Sequence, residues 1–387
     1  MSQHGQSGEL GSELDRNVDM ELQQATKPCE GSRSFNLVNP PLVITSAEQA
    51  CEVVRQARRV SIAGASSKPG LRVQEAEATC LDTRGMSGII EYEPGEYTFT
   101  ARAGTAIRDI VAALDKAGQY LPFDPMLIDS GTTLGGSIAS GLSGPGRFRY
   151  GGLRDFIIGI RFVDGHGRVI HGGGKVVKNA AGFDFPKLMV GSLGRLGLIT
   201  EATFKVFPKP EASLTAVADA GSLNTASLWV AELARQPFDL DAIEVHPPGR
   251  VIIRLTGHHS ALLPRLQAIR QTIIAFEESL SFDWHGLLHF SWQPAGTQRL
   301  RVPITPHQIL KLDQRLDELG VDRRYSVACN AAYIAWPTSM DAHALLTEQG
   351  LGGLNLDHPV CRPGLQKSLS TERLIKQALD PQAKFGA

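Results

Sequence analysis

The chain has 387 residues, 42% hydrophobic and 20% charged, and its 39 basic and 40 acidic side chains leave a formal net charge of −1. That is enough apolar material for two domains or one long composite fold, and there is no basic surplus for a nucleic-acid partner. Five cysteines (Cys29, Cys51, Cys80, Cys329, Cys361) are scattered with no C-x-x-C, which disfavours a disulfide scaffold, a zinc ribbon or iron–sulfur ligation and suits a reducing, cytoplasmic compartment. No signal peptide is expected, and no apolar run approaches the roughly eighteen residues of a membrane helix.

Residues 1 to about 35 are polar and aperiodic and read as a flexible tail. Structure begins with Ser46 as an N-cap and Gln49 three residues on, a capping-box pattern, before a helix through Ala47, Ala50, Val53, Val54 and Ala57. "VSIA" follows as a strand and "GASSKPG" as a turn. "IIEYEP" and "YTFTARAGT" read as strands. "TAIRDIVAALDKAG" reads as a helix with Ile107, Ile110, Val111 and Leu114 on one face, ended at Gly118. "FIIGIRFVDGHGRVIHGG" is a hairpin turning at Asp164-Gly165 and Gly167. "LGLITEATFKVFPKP" is a strand closed by Pro208 and Pro210. From 211 to about 335, helices ("ASLWVAELARQ", "LLPRLQAIRQTIIAFEESL") mix with strands ("RVIIRLTG", "RYSVACNAAYIAWP"), as in helices packed on one face of an antiparallel sheet. "TERLIKQALDP" is a closing helix.

Eighteen of the forty glycines fall between Gly131 and Gly197. Each costs roughly 0.5–1 kcal/mol against alanine in regular structure, so the concentration has a local purpose. Either the region is rich in turns, or the backbone comes close to a ligand. In "GTTLGGSIASGLSG" glycine alternates with Ser and Thr, offering N–H and O–H donors suited to a pyrophosphate. A second donor-rich turn is "AGASSKPG", directly after a strand. It is neither a Walker A loop nor a Rossmann turn: Gly64 and Gly70 are spaced too far apart, and no helix opens on a G-x-G-x-x-G. Two such turns suggest a long ligand in a groove between subdomains.

These residues resemble a known family. "AGASSK", "LDTRGMSGIIEYEPGEYTFTARAGTAIRDIVAAL", "TTLGGSIASGLSG" and "VKNAAGFDFPKLMVGSLGRLGLITEATFKVFPKP" resemble, in order, the flavin-binding segments of the vanillyl-alcohol oxidase and p-cresol methylhydroxylase fold. With "LPFDP" and "GLSGPGRFRYGGLRDFIIG", they resemble the FAD-binding subunits of bacterial glycolate oxidases over about residues 40–210. The resemblance implies an α+β chain. A two-subdomain FAD-binding fold (36–210, divided near 90) would be followed by a smaller α+β cap (211–387). It implies that Gly64, Ala65, Ser66, Ser67 and Lys68 line the diphosphate through backbone N–H groups. Pro125 would lie against the flavin, and Thr133, Gly135, Gly136, Ser140, Gly141 and Gly144 would form the second wall. Ile199 would contact the adenosine end. No histidine lies between Gly64 and Gly70, so the FAD is expected to be non-covalent.

The resemblance further implies two-electron oxidation of a small 2-hydroxy acid. A larger FAD-binding subunit and an iron–sulfur subunit would be partners, with peripheral membrane association through the complex. A self-sufficient dehydrogenase of another acid such as D-lactate, or a flavin-less assembly subunit, are the alternatives. Oxidising a 2-hydroxy acid needs a cation for the carboxylate and a base for the hydroxyl proton. Arg254, His258 and His259 are the nearest candidates, and no catalytic residue is assigned. Arg147, Arg149 and Arg154 flank the glycine stretch as candidates for phosphate or partner contacts. His166 and His171 belong to the hairpin. His285 and His289 share a face whether helix or strand, but no acidic third ligand stands at a convincing spacing, so no metal site is expected.

Overall fold

A computed structural model describes residues 40–72, 77–174, 183–366 and 369–386. The expected tail, and residues 175–182 within "GGGKVVKNAAG", lie outside these. Local signals are realised where the sequence placed them. Ser46 caps the helix Ala47–Gln56 by accepting from Gln49 N. The Gln49 side chain reaches Thr45 N at 2.9 Å, one residue earlier than a capping box requires. The helix Ile107–Asp115 buries Ile107, Ile110 and Leu114, and Gly118 beyond it takes φ 64°.

Three larger sheets organise the described chain, beside a two-stranded pairing of Phe207–Pro208 with Gln119–Tyr120. Leu42–Val43, Thr79–Asp82 and Val60–Ala63 form a small parallel sheet in that order. Ile89–Glu93, Thr98–Arg102, Leu198–Lys205, Ile157–Val163 and Val169–Gly173 form an antiparallel sheet, again in that spatial order. Phe99 and Phe204 are cross-strand partners on it, stacked with centroids 5.7 Å apart; each fully buried ring contributes about 2–3 kcal/mol. The third sheet has eight antiparallel strands and starts at Ala212–Asp219. The helices Leu223–Arg235, His259–Thr272 and Ile309–Glu318 share one apolar core with it. The long expected strand over "RYSVACNAAYIAWP" is two, Arg323–Ser326 and Ala331–Pro337, because Val327, Ala328 and Cys329 turn at positive φ.

Part of the span 211–387 packs away from the large sheet. The segment after the helix Leu369–Leu379 returns to the first sheet: Val60 N donates to Lys384 O at 2.7 Å, and Lys384 Nζ donates to the carbonyls of Val54 and Arg55. Phe385 is buried with Ile44, Val54 and Val60.

The face of the large sheet that carries Arg324 and Glu244 holds a fully buried ion pair. Arg324 Nη1 lies 2.5 Å from Glu244 Oε2 and its guanidinium stacks 4.2 Å from the Tyr333 ring. Ser326 Oγ also donates to Glu244. Burial pushes the Glu244 carboxyl above its usual range, and Arg324 opposes that. Arg324→Met leaves a buried carboxylate with one hydroxyl partner and is expected to cost about 3 kcal/mol in urea unfolding, most of it recovered by adding Glu244→Leu. An unchanged midpoint in the single variant would contradict this.

Candidate functional site

The parallel strand Val60–Ala63 runs into the loop Gly64–Lys68, which faces the segment Thr132–Ser140. The two approach so closely that a Cβ on Gly64 would lie 2.6 Å from Thr133 Oγ1. Between them lies a cavity with about 780 Å³ of empty space, open to solvent and lined by Gly64 to Lys68, Thr132, Thr133, Gly135, Gly136, Ser140, Gly194, Gly197 and Ile199, among others. The backbone N–H groups of Ala65, Ser66, Ser67 and Lys68 donate to no acceptor among the described residues. Lys68 Nζ is held 2.6 Å from Thr132 Oγ1 and 3.0 Å from Ser67 Oγ, with no carboxylate paired to it among the described residues. Burial pushes its ammonium down to about 7, and Arg299 adds to the effect. Arg299 comes from the large sheet, pairs with Asp357 and donates to Ser67 O at 3.0 Å, clamping the loop. Free amides, hydroxyls and a half-buried ammonium are the donor set that suits an anion.

The glycine stretch plays a different part from the one its composition suggested. Leu134–Ser140 is a helix capped by Thr133, whose Oγ1 accepts from Gly136 N. Gly135 N donates to Ala103 O, Gly141 N to Ser137 O, and Gly144 N to Phe123 O and Asp124 O. These amides are consumed inside the protein, so the expected second wall of free N–H donors is corrected to a wall of hydroxyls and cleared space. Gly141 sits at φ 63° and ends the helix, a conformation that favours glycine. Gly144 lies outside the cavity, packed so tightly that a Cβ would meet Leu288 and Asp124. Pro125 is buried in the turn after Asp124 and does not line the cavity. Ile199 lines it while also serving as a buried strand residue.

Ser140 and Leu193 also line a second, larger cleft with about 2200 Å³ of empty space. Arg147, Arg154, Arg301 and Arg362 are also among its lining residues. Arg301 Nε is buried with no hydrogen-bond partner. Arg147 is exposed by area, yet the cleft walls first and Arg301 second push its guanidinium below its ordinary range. Neither forms an ion pair among the described residues. The three catalytic candidates read from sequence do not gather here. Arg254 is spent on Asp124 at 2.6 Å and sits 4.9 Å over Trp284. His258 pairs with Glu211 on the surface, and His259 starts an exposed helical turn. Arg149 pairs with Asp241.

Residues 42–173 match the FAD binding domain family. The chain is 34% identical over 345 residues to the glycolate oxidase subunit GlcE of Escherichia coli, covering 87% of this chain and 94% of that protein. The chain belongs to the GlcE family of glycolate oxidase subunits. It is also 35% identical over 148 residues to glycolate oxidase subunit GlcD of Bacillus subtilis (38% of this chain, 31% of that one). Over 160 residues it is 30% identical to the mitochondrial D-lactate dehydrogenase [cytochrome] 1 of Saccharomyces cerevisiae (41% of this chain, 27% of that one). Among solved structures, an alkyldihydroxyacetonephosphate synthase shares the fold, with TM-score 0.65 at 16% identity over 90% of this chain and 77% of that one. The α+β FAD-binding fold expected from the sequence is therefore the fold of this chain, and FAD is its cofactor.

The cavity fits that cofactor's diphosphate. The amides of Ala65 to Lys68 and the Lys68 ammonium are donors suited to it, and Gly64 and Gly136 line the space without side chains. Sequence reasoning missed Thr132, Gly194, Gly197 and Arg299. The first lay beside a residue already chosen, and the glycines lay within "GSLGRLGLIT". Arg299 is 232 residues from its loop partner and left no local signal.

Proposed function

We propose that this chain is the FAD-binding subunit of a multi-subunit enzyme that oxidises glycolate to glyoxylate. Kinship with GlcE along 94% of that protein's length carries the reading; the unpaired Lys68 in a cradle of free amides supports it. FAD, when bound, accepts the two electrons removed from the substrate carbon. The amides of Ala65 to Lys68, the Lys68 ammonium and the Thr132 hydroxyl hold its diphosphate without a covalent link. Arg147 and Arg301 face the large cleft beside Ser140 and hold the substrate carboxylate, Arg301 through its free Nε. A larger flavoprotein subunit and an iron–sulfur subunit take the electrons onward one at a time. No described helix is long and apolar enough to cross a membrane; peripheral association with the inner face of the cell membrane through those partners is part of the proposal.

The similarity to D-lactate dehydrogenases favours a second reading, a dehydrogenase that acts alone on a related acid. Glycolate- and D-lactate-dependent dye reduction by the purified chain, alone and with its co-purified partners, separates the two: full activity alone would sink the subunit reading. Arg301→Met is expected to raise the KM for the acid at least tenfold and leave the flavin spectrum unchanged, since a charged hydrogen bond is worth about 1.5–3 kcal/mol. An unchanged KM would remove Arg301 from the substrate.

A further inference from the structure

The helix Trp284–His289 carries two histidines four residues apart, and Asp283 caps it by accepting from Gly286 N. His285 and His289 face each other with ring centroids 4.3 Å apart. Fold geometry then supplies what the local sequence lacked. Asp129, on the exposed loop three residues before Thr132, puts Oδ2 2.7 Å from His285 Nε2 and 3.6 Å from His289 Nε2. The ligand atoms of the three residues all lie within 4.8 Å of one another. His289 is only 11% exposed, and its Nε2 has no hydrogen-bond partner. A buried imidazole nitrogen without a hydrogen-bond partner, close to a carboxylate and a second imidazole, calls for an explanation.

We propose that Asp129, His285 and His289 bind a divalent transition metal of the zinc class, clipping the loop before Thr132 to the helix Trp284–His289. A tetrahedral ion with bonds near 2.0–2.1 Å sets its ligand atoms about 3.3 Å apart. The Asp129–His289 spacing of 3.6 Å already suits it, and the 2.7 Å Asp129–His285 pair opens by about 0.6 Å. Both His285 and Asp129 are exposed and free to make that adjustment. Two imidazoles and one carboxylate select zinc, cobalt or nickel over magnesium or calcium, which take all-oxygen sets. The fourth position opens to water. Apart from these side chains the same loop and helix are joined by a backbone bond, Leu127 N to Leu288 O at 3.2 Å. The clip therefore adds a restraint to the segment leading to Thr132, the hydroxyl that holds Lys68. The proposal stands independently of the substrate.

The test is calorimetric titration of zinc chloride into the chelator-treated, purified full chain, with magnesium chloride as control. The expected result is one zinc per chain and no heat with magnesium. His285→Gln and His289→Gln are each expected to weaken binding at least 100-fold, and Asp129→Asn at least tenfold. Zinc should also raise the thermal midpoint of the wild type and leave that of either histidine variant in place; circular dichroism checks that the variants fold. No saturable zinc binding, or wild-type affinity in either histidine variant, overturns the site and leaves an aspartate–histidine hydrogen bond in its place.

Discussion

Gly136→Val is expected to yield a folded, colourless protein. Gly136 lines the cavity, and its backbone is in a conformation open to any residue. A Cβ there meets Thr133 Oγ1 alone, at 3.1 Å, and otherwise enters open space. Valine is no worse than glycine in a helix interior, so stability should stay within about 1 kcal/mol of wild type. The branched side chain instead occupies the volume the diphosphate needs. FAD affinity should fall at least 1000-fold, read from absorbance in the flavin bands after purification and from titration of FAD into the product. The contrast with Gly135→Val is informative. There a Cβ sits 2.9 Å from Ala103 Cβ and 3.1 Å from Ala103 O, so the fold itself suffers. A Gly136→Val protein that keeps its FAD would show that the glycine serves the chain and not the ligand.

Lys68→Met is expected to weaken FAD about 100-fold near neutral pH and to flatten the pH dependence of binding. The wild-type ammonium titrates at about 7 in the ligand-free fold, against an ordinary value of 10.5, chiefly through burial. A bound diphosphate favours the charged form and raises that pKa. Above pH 7, binding FAD must therefore take up a proton, and affinity falls by up to tenfold per pH unit as pH rises toward 9. The sign for stability is opposite. Between about 7 and 10.5 the unfolded chain holds the Lys68 proton and the ligand-free fold does not, so stability of the FAD-free protein rises with pH through that window. Methionine has no proton to exchange, so both slopes should vanish and the FAD-free variant should be more stable than wild type at pH 7. Calorimetry at several pH values, with urea unfolding of the FAD-free forms, measures both. A wild-type affinity independent of pH from 7 to 9 would mean that Lys68 does not face the anion.

Local signals were legible because they are local. The Ser46 cap, the Ile107–Asp115 amphipathic face and the Asp164-Gly165 hairpin depend on neighbours within a few residues, and all formed where their patterns stood. The first loop was legible as a turn because small, donor-bearing residues directly follow a strand; which of its amides stay free depends on what packs against it. The glycine stretch misled because the fate of an amide is tertiary. Gly135 N and Gly144 N found the carbonyls of Ala103 and Phe123, partners that composition cannot reveal. Arg254 misled in the same way. Its charge suited a substrate carboxylate, but Asp124, 130 residues away, takes it first. The three consecutive positive-φ residues Val327 to Cys329 broke a strand with no glycine or proline to announce it. Asp129 reaches His285 across 156 residues, beyond any spacing rule.

The grip on the diphosphate is tested most directly by a crystal structure of the FAD complex, read for the distances from the diphosphate oxygens to Lys68 Nζ and to the amides of Ala65 to Lys68. The account predicts hydrogen bonds of about 2.7–3.0 Å to the ammonium and to at least two of those amides. A diphosphate bound outside the Gly64–Lys68 loop, with Lys68 still turned only to Thr132 and Ser67, would contradict it.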